Sequence, residues 1–120
     1  MKIAISSQGK DLSSNVDPRF GRARYFIIYD TESGGFEAID NNQNINAAQG
    51  AGIQAAQIVA RQNVAVVISG NLGPKAFGTL AAAGIRAALR ADGSVAQAIA
   101  LFQSGQLKPA DSANVEGHWM

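Results

Sequence analysis

Val64-Ala65-Val66-Val67-Ile68-Ser69-Gly70-Asn71-Leu72-Gly73-Pro74-Lys75 is the stretch on which the fold turns. Residues 64–68 are almost purely apolar, mostly β-branched, and too few for a helix. Such a run suits a parallel strand covered on both faces. Residues 70–73 make a tight connection. Pro74 then stands where a helix begins, because its missing N–H is not needed in the first turn. Gly84 is a natural residue just past the end of that helix, and residues 85–89 read as the next strand. The unit is strand–helix–strand, and its crossover is right-handed.

Outward from this unit the chain keeps a consistent pattern. Residues 2–6 form a short apolar strand, expected at the centre of the sheet. Residues 8–15 are polar and loop-like. The segment YFIIY (25–29) and the alternating FEAID (36–40) flank a Gly-rich turn and read as an antiparallel hairpin. A polar loop covers 40–46, and small and apolar residues at helical spacing predict a helix over 47–62. Ser94 and Gln97 form a capping box that opens a last helix, which stops near Gly105. The order is βββαβαβα: an α/β domain over residues 1–107 with a mixed five-stranded sheet and three helices, followed by a polar C-terminal tail over 108–120.

Composition narrows the functional classes. A chain of 120 residues suffices for one domain. With 47% hydrophobic and 16% charged residues, it is globular rather than disordered. The net charge of +1 provides no general basic field, which disfavours nucleic acid and membrane surfaces as partners. No cysteine is present, which excludes disulfides, thiol nucleophiles and thiolate-bound clusters, and fits a reducing compartment. The apolar start is too short for a signal peptide, and no run is long enough to span a membrane. A cytoplasmic location is expected.

Four segments are candidates for chemistry. In Asp17-Pro18-Arg19-Phe20-Gly21-Arg22-Ala23-Arg24, three arginines fall within six residues beside a glycine that permits close approach. Guanidinium forks suit multi-acceptor anions; the alternative is a solvated loop whose arginines pair with Asp11, Asp17 or Asp30. The junction Gly70-Asn71-Leu72-Gly73 lies at the carboxyl end of a parallel strand, before a helix N-terminus that favours anions. It lacks P-loop spacing, and an ordinary βα turn is the alternative. Gly50-Ala51-Gly52-Ile53-Gln54-Ala55 matches a dinucleotide fingerprint in letters only, because no strand leads directly into it. Small residues that let a helix pack closely explain it better. His118, the lone histidine, is the only imidazole available to a metal, although a tail histidine is commonly a bystander. No nucleophile–base pair or paired-histidine spacing is visible, so a noncatalytic protein is expected.

Taken in order, several short pieces resemble the nitrogenase iron–molybdenum cofactor accessory family, comprising NifX-type proteins, the NifB C-terminal domain and small stand-alone members. The pieces are Met1-Lys2-Ile3-Ala4-Ile5-Ser6, Phe20-Gly21-Arg22-Ala23 with Tyr25-Phe26, Gly50 and Gly52, and Val66-Val67-Ile68 with Gly70. They continue through Leu72-Gly73-Pro74-Lys75-Ala76, Leu80, Gly84-Ile85 and Phe102 with Gly105 and Leu107. The resemblance is strongest to the stand-alone members. It implies a ribonuclease-H-like fold and the binding or carriage of a preassembled metal–sulfide cluster. A noncovalent molybdenum–copper sulfide is the first expectation, and another molybdenum or iron–sulfur cluster the second. Nuclease chemistry does not come with the fold, because the first strand has no carboxylate.

An anionic cluster that brings its own sulfide ligands needs from the protein only cations, N–H donors and an apolar wall. Arg19, Arg22 and Arg24, Gly21 through close backbone approach, the amides of Gly70, Asn71, Leu72 and Gly73, and Phe20 are the expected contributors, with His118 as the metal contact. The two loops are expected at one edge of the sheet. A small organic or phosphate anion, or a regulatory partner protein, could use the same loops.

Overall fold

The computed structural model describes residues 1–46 and 50–115. Its strands are β1 (Lys2–Ser7), β2 (Tyr25–Asp30), β3 (Phe36–Asp40), β4 (Val66–Ile68) and β5 (Arg86–Ala88), and its helices are α1 (Ala51–Ala60), α2 (Pro74–Ala82) and α3 (Val95–Gln103). The sheet order is β3-β2-β1-β4-β5. β1 is central, antiparallel to β2 and parallel to β4, which is itself parallel to β5. This is the mixed five-stranded α/β arrangement that the sequence pattern predicts, and it agrees with the ribonuclease-H-like fold that the family resemblance implies.

The period-2 alternation of the strands builds two separate cores. Ala4, Phe26, Ile28, Val67 and Ala87 face α1 and α2, where they meet Ala55, Val59, Ala76 and Leu80. Ile3, Ile5, Ile27, Val66, Ile68 and Ala88 face α3 and pack on Val95, Ala98 and Ile99. β4 is therefore buried on both faces, which explains its unbroken apolar run.

Local chemistry fixes the element ends. Gly50 takes φ +78 and opens α1 at Ala51, later than the predicted start at 47; residues 47–49 lie outside the described residues. Pro74 occupies the first turn of α2, and Gly84 has φ +76 two residues past its end. In the hairpin turn, Asp30 Oδ1 accepts Glu32 N–H at 2.9 Å, and this bond foremost holds the Asp30 carboxyl below its ordinary value. The capping box on α3 is complete, with Gln97 N–H on Ser94 Oγ at 3.1 Å and Ser94 N–H on Gln97 Oε1 at 2.8 Å. Ser94→Ala is expected to cost about 1 kcal/mol in urea unfolding; an unchanged midpoint would contradict this role.

The stretch read as a polar tail returns to the domain over its described part. Pro109 bridges Ala88, Ala110 N–H donates to Ala87 O at 2.7 Å, and Ala110 and Val115 pack on the α1–α2 core. The otherwise open edge of β5 is thereby covered.

Candidate functional site

The parallel strands β1 and β4 end side by side, and their loops are joined directly. Ser6 and Ser69, both fully buried, share a hydroxyl–hydroxyl hydrogen bond of 2.8 Å, and Ser6 Oγ lies 2.8 Å from Asp17 O. Asp17 N–H donates to Ser6 O at 2.9 Å, and Asp17 Oδ1 accepts Arg19 N–H at 3.0 Å. Two further bonds close the junction: Asn71 N–H to Pro18 O at 2.7 Å and Phe20 N–H to Asn71 O at 3.3 Å. The expected meeting of the two loops is thus realised as a short parallel bridge between Arg19 and Asn71. It depends on Gly70, where a Cβ would fall 2.7 Å from Pro18 Cα.

The second half of the arginine loop rests on α1 and on the loop before it. Gly21 packs against the first turn of α1 so closely that a Cβ would lie 2.8 Å from Gly52 Cα. The small residues of the 50–55 segment therefore serve packing, as expected, with Gly52 meeting a loop rather than the sheet. Asn41, fully buried, donates through Nδ2 to Gly21 O at 3.2 Å and to Ala23 O at 2.8 Å. Its Oδ1 accepts Asn44 Nδ2 at 2.7 Å. Asn41→Ala strips two loop carbonyls and a buried amide of their partner. We expect a loss of roughly 2–4 kcal/mol, read by urea unfolding; a loss below about 0.5 kcal/mol would show that the loop is shaped by other contacts.

The arginines are not consumed by the acidic residues nearby. Among the described residues no ion pair joins Arg19, Arg22 or Arg24 to Asp11, Asp17 or Asp30; the one ion pair found links the Met1 amino group to Glu32. Arg19 and Arg24 are exposed, while Arg22 is half-buried and donates from Nη1 to Ile45 O at 3.0 Å. One proposed contributor is displaced. Phe20 is fully buried, with its ring centroid 5.1 Å from that of Phe26, so it anchors the loop from beneath and offers no wall to a ligand. Leu72, also fully buried, does the same for the second loop.

In the 70–73 loop, Asn71 N–H is spent on Pro18, and Leu72 N–H on Asn114 Oδ1 at 2.8 Å. Gly73 precedes α2 without a side-chain cap, so the positive end of that helix stays open. Asn114, missed in the sequence, clasps this loop through Nδ2, which lies 3.1 Å from both Gly70 O and Asn71 Oδ1. An asparagine within a polar tail carries no local signal that would separate it from a solvated one. Asn41 was hidden in the same way inside an Asn-rich loop. His118 lies outside the described residues.

No group of three or more His, Asp or Glu able to hold a metal ion occurs among the described residues. A shallow hollow of about 250 Å³ lined by Lys2, Ile28, Asp30, Gly35, Phe36 and Glu37 lies at the opposite end of β1, away from the arginines.

Comparison with known proteins gives consistent findings. The family model described as "Dinitrogenase iron-molybdenum cofactor" matches residues 1–105. An uncharacterized protein of Methanocaldococcus jannaschii is 33% identical over 111 residues, covering 90% of each chain. The apo form of the orange protein from Desulfovibrio gigas superposes with a TM-score of 0.93 at 39% identity, over 95% of this chain and 96% of that one. A NifB-like protein from Thermotoga gives a TM-score of 0.83 at 44% identity, over 97% of this chain and 98% of that one.

Proposed function

Because the chain belongs to the dinitrogenase iron-molybdenum cofactor family, we propose that it binds and carries a preassembled anionic metal–sulfide cluster without catalysing a reaction. Molybdenum–copper sulfide is the cluster we favour. One observation carries the reading: two glycine-dependent loops, zipped at the ends of β1 and β4, set the three-arginine segment, with no carboxylate partner found among the described residues, against the loop that leads into an uncapped helix N-terminus. Guanidinium groups and amide N–H groups both donate to negative acceptors and supply no metal ligand. A cysteine-free chain with such a surface suits a cluster that keeps its own sulfides.

Arg19, Arg22 and Arg24 are the cations of this site, with the backbone of Gly21, Gly70 and Gly73, while the Asn71 backbone holds the two loops together. Phe20 and Leu72 hold the loops from below. Asp17, the carboxylate of the arginine loop itself, is engaged with the backbone of Arg19, which supports a binding role over acid–base chemistry. His118 carries the chain's only imidazole, a ring that can ligate a cluster metal. We assign it an auxiliary metal contact, and a His118→Ala protein with unaltered metal content would remove that role.

The test is anaerobic reconstitution with tetrathiomolybdate and copper(I), followed by desalting, a visible spectrum and a metal count. A retained coloured species at a fixed metal-to-protein ratio is expected. Loss of all metal, together with binding of inorganic phosphate at the same loops, would favour the small-anion reading.

A further inference from the structure

We infer that Arg90 is a fourth cation of this ligand site, held where the loops after β4 and β5 meet by a backbone conformation that costs stability. The inference rests on the ligand reading above and extends it to a loop that neither the sequence motifs nor the family match singled out.

β4 runs on into α2 on one face of the sheet, and β5 into α3 on the other. The carboxyl ends of two neighbouring parallel strands therefore diverge, which is where open α/β sheets place their ligands. The two loops at this point are bonded to each other. Arg90 N–H donates to Gly70 O at 2.8 Å, and Ala91 N–H donates to Ser69 O at 3.1 Å. Arg90 thus borders the same loop that meets Pro18, Arg19 and Phe20.

Its conformation is unusual for its type. Arg90 has φ +64, in the left-handed region, and the only other non-glycine described there is Asn63, a residue type that tolerates it. Glycine or asparagine would hold the turn with less strain. The side chain is exposed, and no ion pair with a carboxylate is found among the described residues. The charge thus serves neither the turn nor an ion pair among the described residues, and its backbone is bonded to the Gly70 loop. Strain retained beside a site points to use of the side chain there.

Three variants separate charge from backbone. Arg90→Asn keeps the tolerance for positive φ and removes the charge; Arg90→Gly removes both strain and charge; Arg90→Lys keeps strain and charge. Each is reconstituted with tetrathiomolybdate and copper(I) beside the wild type, and metal retention is read against sodium chloride concentration alongside the thermal midpoint. Arg90→Asn and Arg90→Gly are expected to bind about tenfold more weakly while unfolding at an equal or higher temperature. Arg90→Lys is expected to stay within about threefold of wild type. Wild-type retention in Arg90→Asn, or an equal loss in Arg90→Lys, would overturn the inference and leave the cluster reading standing. No retention by the wild type would overturn both.

Discussion

Replacing Arg19 and Arg22 together by alanine is expected to abolish retention of the molybdenum–copper sulfide while the protein still unfolds cooperatively. Each charged hydrogen bond to a shielded ligand contributes about 1.5–3 kcal/mol, so losing two weakens binding by roughly two to four orders of magnitude. The costs to folding differ between the two. Arg19 is exposed and its side chain makes no bond to the described residues, so its loss should shift stability by no more than about 0.5 kcal/mol. Arg22 ties the loop to Ile45 O at 3.0 Å, so its removal should cost about 1 kcal/mol. Metal content after desalting and a urea unfolding curve together decide the point. Full metal content in a folded double variant would remove these arginines from the site.

Gly70→Ala is expected to break the bridge between the two loops. An added Cβ would lie 2.7 Å from Pro18 Cα and 2.9 Å from Pro18 O, and both are backbone atoms that cannot rotate away. Pro18 O is also the acceptor for Asn71 N–H at 2.7 Å, so relief of the clash must open the bridge between the loops. We expect a loss of about 2–4 kcal/mol by urea unfolding, with metal retention falling even under conditions where the variant is folded. A variant that folds and binds as the wild type does would show that the close approach of the loops is not needed.

The fold was largely legible in the sequence because its signals are local. Residues 64–68 are apolar on both faces, Pro74 and Gly84 bracket α2, and Ser94 with Gln97 caps α3; each feature acts over a few residues. Element ends were less legible. α1 starts at Ala51 because Gly50 turns left-handed there, and nothing in the small, polar run before it marks that residue as the boundary. The site was legible as two loops and not as a network. The arginine cluster and the Gly70 turn could be read directly, and parallel topology requires them to share an edge. Phe20 was misjudged because an aromatic beside arginines reads equally well as a ligand wall or as a core anchor, and only its packing on Phe26 decides. The buried amide of Asn41 and the half-buried one of Asn114 hold loop carbonyls 18 to 44 residues away in the chain, which no local pattern encodes.

The most direct measurement of the central claim is an amide NMR comparison of the metal-free protein with the protein reconstituted with tetrathiomolybdate and copper(I). The account predicts that the largest shifts fall on Arg19, Gly21, Arg22, Gly70, Asn71 and Gly73, with little change at the far end of the sheet. Shifts concentrated around Lys2, Asp30, Phe36 and Glu37, with the two loops unmoved, would contradict it.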